Sequence, residues 1–262
     1  MIKPITAKEN DGSTYQGNME IFMLLQSLRE EVLESNLELV RKGLVLYTFG
    51  NASGVDRQQG LVVIKPSGVD YDKLRPEDMV LTDLEGRIVE GNLRPSSDLE
   101  THTLLYREFE EIGAVVHTHS EFATSFAQAG MPIQPFGTTH ADYFCGPVPV
   151  TSPLSDEGIG GRYVHETGLA IVARFRGGPS LEPVDPMAVP ACLVAGHAPF
   201  VWGETPRDAT HNAVVLEAIA KMAFRTLLLN VHVEPVSQTL LNRHYCRKHG
   251  KTATYGQSGS TT

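Results

Sequence analysis

The residues with the clearest chemical potential are His117 and His119, which close the run Ala114-Val115-Val116-His117-Thr118-His119-Ser120. The apolar lead-in predicts a strand over 114–119. Residues two apart in a strand share a face, so both imidazoles would point one way and Thr118 the other. Two imidazoles at a strand end make a bidentate claw for Zn2+ or a similar divalent ion. Two histidines hydrogen-bonded in a half-buried sheet would leave the same pattern. His197 offers a third ligand, because it follows the apolar run Ala191 to Ala195 and precedes Ala198-Pro199-Phe200, again at an expected strand end. Three histidines leave one or two coordination positions open, as a catalytic ion requires. Asp98, at an expected helix start, is a candidate fourth ligand or base, and equally a plain helix cap.

Two short loops have the composition of anion holders. Lys65-Pro66-Ser67-Gly68 offers an ammonium, a hydroxyl and a permissive backbone at the end of a strand. Pro95-Ser96-Ser97-Asp98 offers two hydroxyls and N–H groups at a helix N-terminus, where anions are stabilised. Gly50-Asn51-Ala52-Ser53 reads as a third loop of this kind. All three are also ordinary turn sequences, and none matches a P-loop or dinucleotide fingerprint. The remaining ionisable groups concentrate in Thr138-Thr139-His140-Ala141-Asp142-Tyr143 and in a C-terminal stretch holding His244, Tyr245, Arg247, Lys248, His249 and Tyr255. Asp and Tyr serve as acid/base groups where a pocket shifts their pKa, and a solvated surface would explain them as well.

Elements must bring these residues together. Leu24, Leu25, Leu28, Val32, Leu39 and Val40 fall at helical spacing and predict a first helix over 19–42, stopped by Gly43. Short strands are expected at 44–49, 61–65, 79–82 and 87–90, divided by turn residues such as Glu85-Gly86. A helix opening at Ser97 or Asp98 carries Leu104, Leu105, Phe109 and Ile112, and a further helix spans 121–129. Strands are expected near Val148 and over 170–175, then a Gly/Pro-rich connection over 177–190. The best-marked helix runs over 206–229, with Thr205 as N-cap and Pro206 in the first helical position. No internal repeat or long linker divides the chain, so one α/β domain over 19–257 is expected, a mixed sheet flanked by helices. Residues 1–18 and 258–262 read as ends outside the fold.

Composition narrows the function classes. The chain has 262 residues, ample for a sizeable core, with ordinary hydrophobic (41%) and charged (20%) fractions. A net charge of -9 disfavours nucleic acid as a partner, while leaving room for one small phosphorylated substrate in a local basic pocket. Cys145, Cys192 and Cys246 are sparse and odd in number, which fits a reducing cytoplasm better than a disulfide framework. The N-terminus lacks a signal peptide's apolar core, and no stretch reaches the roughly 18 apolar residues of a membrane span.

Taken together, the chain resembles the class II aldolase/epimerase family over about 28–257. The resemblance is carried by GNASGVDR (50–57), VIKPSGVDY (63–71), RPSSD (94–98), HTHS (117–120), GTTHADYF (137–144), HNAVVLE (211–217) and HYCRKHGKTATYGQ (244–257), all in the family's order. It implies a three-layer α/β/α sandwich around a mixed, mainly antiparallel sheet, assembled as a C4 homotetramer with active sites at subunit interfaces. It implies Zn2+, or another divalent metal, on His117, His119 and His197, with Asp98 at the position of an additional carboxylate ligand. Asn51, Lys65, Ser67, Gly68, Ser96 and Ser97 match substrate-phosphate positions. Asp142 and Tyr255 match acid/base groups supplied by a neighbouring subunit, and Thr138, His244 and Arg247 match supporting positions. The activity implied is C4 epimerisation of L-ribulose 5-phosphate to D-xylulose 5-phosphate by retro-aldol cleavage and re-formation of C3–C4. Fuculose-phosphate-type aldolases carry Glu where this chain has Asp98, and an adducin-like scaffold would be expected to lose metal ligands. Two departures stand out: Ala195 replaces a histidine common upstream of His197 in epimerases, and the 177–190 connection is a few residues longer.

Overall fold

The computed structural model describes residues 23–179 and 181–249. Its centre is a sheet of β1 (Asn51–Asp56), β2 (Leu61–Ile64), β3 (Val80–Asp83), β4 (Ile88–Glu90), β5 (Ala114–His117), β6 (Ala191–Leu193) and β7 (Pro199–Gly203). The strands lie in the order β4-β3-β2-β1-β5-β7-β6. All pairings between them are antiparallel, and a parallel contact occurs as the isolated bridge between Val150 and Leu193. The expected mainly antiparallel sheet is therefore present. Strands β1 to β4 form a meander of neighbours in sequence, which needs no crossover helices.

The helices are α1 (Gln26–Arg41), α2 (Leu99–Glu108), α3 (Glu121–Gln128), α4 (Thr138–Ala141), α5 (Asp156–Gly160), α6 (Tyr163–Arg176), α7 (Pro206–Leu229) and α8 (Gln238–His249). They cover both faces of the sheet, and the period of two along β5 shows how. Ala114 and Val116 pack with Phe126 of α3 and Ala213 and Leu216 of α7, whereas Val115 packs with Leu105 of α2, Ile171 of α6 and Trp202. Small residues let the helices approach. A Cβ at Gly54 would lie 2.8 Å from Leu28 Cδ1, so that glycine seats α1 on β1. The N-terminus of α7 forms as expected, with the Asp208 N–H donating to Thr205 Oγ1.

Several expectations need correction. Residues 44–49 are not a strand: Tyr47 takes a left-handed φ of 52°, and Leu46, Tyr47 and Phe49 are exposed. The central strand begins instead at Asn51, inside the segment read as an anion loop. Residues 170–175 are helical, part of α6. Its buried set Thr167, Gly168, Ile171, Val172 and Phe175 follows a helical stripe, and Gly168 lets Leu104 of α2 come so near that an added Cβ would sit 2.6 Å from its Cδ2. Val148 forms only a bridge to Ile133. The first helix starts at Gln26, behind a left-handed Leu25 (φ 54°). The ends at 1–18 and 258–262 lie outside the described residues. Among the described residues, no helix is long and apolar enough to cross a membrane.

Candidate metal centre

Register assembles the corner. Asn51 of β1 and Phe200 of β7 flank His117 at the end of β5. The strand stops at His117 rather than 119, and Thr118 and His119 continue as loop. The imidazoles nevertheless converge, with His117 Nε2 and His119 Nε2 3.2 Å apart. His197 arrives from the tight connection between β6 and β7, beside Gly196 at φ 70°. Ligand nitrogens of the three rings all lie within 4.8 Å of one another.

The ring of His117 is clamped. It is 2% exposed and stacks on Phe200, with centroids 4.2 Å apart and planes at 19°. Its Nδ1–H donates to the Pro199 carbonyl at 3.0 Å, which leaves Nε2 with a lone pair directed at His119. Burial lowers the pKa of all three histidines, opposed by Asp98; His197, with two imidazoles beside it, falls to about 4. Neutral imidazoles are the form a metal ion binds. Burial alone would push the Asp98 carboxyl up, but the adjacent His117 and His102 and a hydrogen bond from Asn51 outweigh it and hold it below the usual carboxylate range. Three neutral imidazoles beside a carboxylate suit Zn2+. His197 Nδ1 is buried without a hydrogen-bond partner, and this set of donors fits a divalent ion.

Asp98 precedes α2 but makes no side-chain cap. Its Oδ2 accepts from Asn51 Nδ2 at 2.7 Å and from Ser96 Oγ at 3.5 Å. It therefore faces the histidine corner, adjacent to the three-imidazole group rather than one of the mutually close ligands.

A cavity of about 440 Å³ opens from this corner, lined by the three histidines, Asp98 and Asn51 together with Lys65, Ser67, Gly68, Ser96 and Ser97. The two loops predicted as anion holders are strapped together: Ser67 N–H donates to Arg94 O at 2.9 Å, and Ser96 N–H to Lys65 O at 3.0 Å. Lys65 is 2% exposed, with its ammonium 4.5 Å from the Tyr71 ring centroid and 3.3 Å from the Pro66 carbonyl. Burial lowers its pKa to about 8 against the pull of Asp70. An ammonium so lightly paired, among hydroxyls and turn amides, suits a phosphate.

The other expected residues gather elsewhere. Asp142, just after α4, accepts from His244 Nδ1 at 3.0 Å and from Arg247 at 2.9 and 3.1 Å, both on α8. Its backbone carbonyl accepts from His249 Nε2 at 2.9 Å, and Lys248 Nζ lies 3.9 Å from its carboxylate. Burial raises the Asp142 pKa, but the hydrogen bonds from His244 and Arg247 and the charges of Lys248 and Arg247 bring it below the usual range. Thr138 opens α4, and its carbonyl accepts the Asp142 N–H. None of Thr138, Asp142, His244 and Arg247 lines the histidine cavity of its own chain. Tyr255 lies outside the described residues.

Sequence reasoning missed Thr48 and Phe49 on the cavity wall, Tyr71 under Lys65, Tyr163 with its ring 6.0 Å from His197, and the buried His102. His102 had a usable signal, since it sits one helical turn after Asp98. Thr48 and Phe49 come from a loop and Tyr71 and Tyr163 from the starts of helical turns, none at a spacing that points to chemistry.

Comparison with known proteins identifies the family and the fold. The profile of the family described as class II aldolase and adducin N-terminal domain matches residues 30–224. L-ribulose-5-phosphate 4-epimerase UlaF of Salmonella paratyphi C (strain RKS4594) is 48% identical over 233 residues, covering 89% of this chain and 100% of that protein. The same enzyme of Salmonella typhi matches equally, at 48% over 233 residues. Among solved structures, an L-fuculose 1-phosphate aldolase aligns with a TM-score of 0.69 and 22% identity, over 83% of this chain and 94% of its own. The L-fuculose-1-phosphate aldolase of Thermus thermophilus aligns with a TM-score of 0.61 and 23% identity, over 79% and 99% respectively. At such identities the two aldolases bear on the fold alone.

Proposed function

Because the chain belongs to the class II aldolase and adducin N-terminal domain family, we propose that it is a Zn2+-dependent, or other divalent-metal-dependent, L-ribulose-5-phosphate 4-epimerase, working in the cytoplasm and yielding D-xylulose 5-phosphate. The observation that carries this reading is 48% identity along the whole length of a curated 4-epimerase.

The cavity has the two ends such a substrate needs. The C4 hydrogen of ribulose 5-phosphate is not acidic, whereas the C2 ketone permits retro-aldol cleavage of C3–C4. His117, His119 and His197, with Asp98 beside them, would hold a divalent ion, which would supply Lewis-acid stabilisation of the negative charge that the cleavage develops. Lys65, Ser67, Gly68, Ser96, Ser97 and Asn51 bind the phosphate end and retain the glycolaldehyde phosphate fragment while it turns. One acid/base group takes the C4 hydroxyl proton as C3–C4 breaks, and a second, on the opposite face, returns a proton to that oxygen after the bond re-forms. Asp142 and Tyr255 fill these roles, with Thr138, His244 and Arg247 supporting them. The cations around Asp142 keep it ionised and so able to accept a proton.

These groups would reach the cavity from a neighbouring subunit of a C4 homotetramer. Two features support that assembly: Asp142 does not line its own chain's cavity, and large apolar side chains stand exposed near the mouth, Tyr47 at 89% and Phe49 at 56%. The shorter carboxylate of Asp98, held back by Asn51, favours epimerisation over a net aldol cleavage in which a longer Glu would reach substrate.

The test incubates metal-stripped and Zn2+-reloaded protein with L-ribulose 5-phosphate. Formation of D-xylulose 5-phosphate only after reloading supports the proposal. Stoichiometric accumulation of glycolaldehyde phosphate would replace it with an aldolase. A stable protein that takes up no Zn2+ and turns over nothing would favour a scaffold.

A further inference from the structure

Behind the histidine corner runs a buried polar chain that the proposed chemistry does not use. His102 of α2 is 0% exposed, and its Nδ1 lies 2.7 Å from Ser53 Oγ, which lies 2.7 Å from the Tyr106 hydroxyl. The other ring nitrogen, Nε2, is buried and has no hydrogen-bond partner. Buried polar atoms are nearly always paired, so an orphan at the end of an otherwise satisfied chain marks a site where a partner belongs.

The candidate partner is close in sequence and in charge. Asp98 is one helical turn before His102, so the two side chains share a face of the helix N-terminus. Each perturbs the other electrostatically. The carboxylate of Asp98 uses only Oδ2, toward Asn51 and Ser96. His102 also packs edge-on against Phe200 at 5.9 Å, the ring on which His117 stacks at 4.2 Å. It therefore touches the frame of the corner without reaching the cavity.

We infer that His102 is a positioning residue: its Nε2–H is the donor that holds the free oxygen of Asp98 when the corner grips its ion. In that arrangement Tyr106 O–H donates to Ser53 Oγ, Ser53 O–H donates to Nδ1, and the imidazole carries its proton on Nε2. The carboxylate is then fixed from two sides, by Asn51 and by His102. Metal-site carboxylates and histidines held by such outer partners keep their orientation, and loss of the partner weakens metal affinity about ten- to hundredfold.

The inference rests on the reading that Asp98 stands at a metal ion. Two variants separate the ring nitrogens. In His102→Gln the amide nitrogen lies near the Nε2 position and keeps the donor to Asp98. In His102→Asn the amide lies near Nδ1, where its oxygen accepts from Ser53 O–H and no donor reaches Asp98. The full-length protein, stripped and titrated with Zn2+ against a competing chelator, should bind about ten- to hundredfold more weakly as His102→Asn and close to normally as His102→Gln. The two should have matching thermal midpoints. In the Co2+-loaded protein, the visible absorption of His102→Asn should shift and that of His102→Gln should not. If both variants bind like the unaltered protein, or if Gln is the weaker one, His102 serves the Ser53 chain alone and the inference falls. If the unaltered protein takes up neither ion, the reading beneath it falls too.

Discussion

Two regions gather most of the candidate site residues among the described residues, and they are built in opposite ways. The histidine corner is interior work: His117 and Lys65 are each 2% exposed, held by β-strand register, ring stacking and loops strapped backbone to backbone. The Asp142 cluster is peripheral work: a carboxylate after a four-residue helix, held by His244, Arg247 and Lys248 of α8 and not lining the histidine cavity of its own chain. On the proposed function the contrast is a division of labour. Binding an ion and a phosphate would demand fixed donors, whose desolvation is offset by rigidity, whereas proton transfer would demand a charge tuned by neighbours and delivered to the cavity from outside.

Breaking the interior region should cost most. His197→Ala removes one of three mutually close ligands and should abolish tight Zn2+ binding. With it goes Lewis-acid stabilisation worth several kcal/mol, so turnover should fall by at least about 10⁴-fold. Metal analysis and a rate assay on the same sample check both. Asp142→Asn should lower kcat by about 10²- to 10⁴-fold, the range of a single acid/base group, with full metal content. An equal mixture of the two inactive variants, allowed to exchange subunits, should regain part of the activity if each cavity takes Asp142 from a neighbour. No recovery after proven exchange would mean that no neighbouring subunit supplies Asp142 to the cavity.

How much of this contrast was legible in the sequence depended on whether local pattern or tertiary pairing made the feature. The run before His117 announced a strand, and Thr205-Pro206 announced α7, because both rest on local spacing and capping. Asn51 did not announce itself. Its segment is rich in Gly, Ala and Ser and reads as a turn, yet it is the central strand because small side chains are what α1 and α7 tolerate above Ala52 and Gly54. The apolar run before it looked like a strand and is an exposed rim. Residues 170–175 failed for the complementary reason: a helix buried against α2 is apolar enough to mimic a strand. The roles of Asp142, His244 and Arg247 could not be read from spacing, since more than a hundred residues separate Asp142 from Arg247 (|i−j| = 105) and only the packing of α8 on α4 joins them.

The proposed phosphate end of the cavity sharpens the comparison with a smaller effect. Lys65→Met removes a charge-assisted contact worth about 1.5–3 kcal/mol, so KM should rise ten- to hundredfold with kcat changed less. Because burial brings the Lys65 pKa down to about 8, the free protein loses its ammonium as pH rises through that value. The ratio kcat/KM should therefore fall above pH about 8. In Lys65→Arg, whose guanidinium stays charged, this limb should move beyond the accessible range. A profile unchanged by that substitution would mean another group titrates there.

The smallest expected effect lies at the periphery and tests whether tuning there is cumulative. Lys248 Nζ stands 3.9 Å from Asp142 Oδ2, without hydrogen-bond geometry, and also over the Tyr143 ring at 3.9 Å. A pair of this kind is worth about 0.2–1 kcal/mol, less than one pKa unit. The cations hold the Asp142 carboxyl below its usual range, so removing one lets its pKa rise, and the base form is lost at a higher pH. Lys248→Met should therefore move the acidic limb of kcat/KM upward by a few tenths of a unit and leave metal affinity untouched. Arg247→Met, which removes two hydrogen bonds to the same carboxylate, should move it further. Equal shifts would mean that the carboxylate senses the net charge of α8, not the geometry of its individual partners.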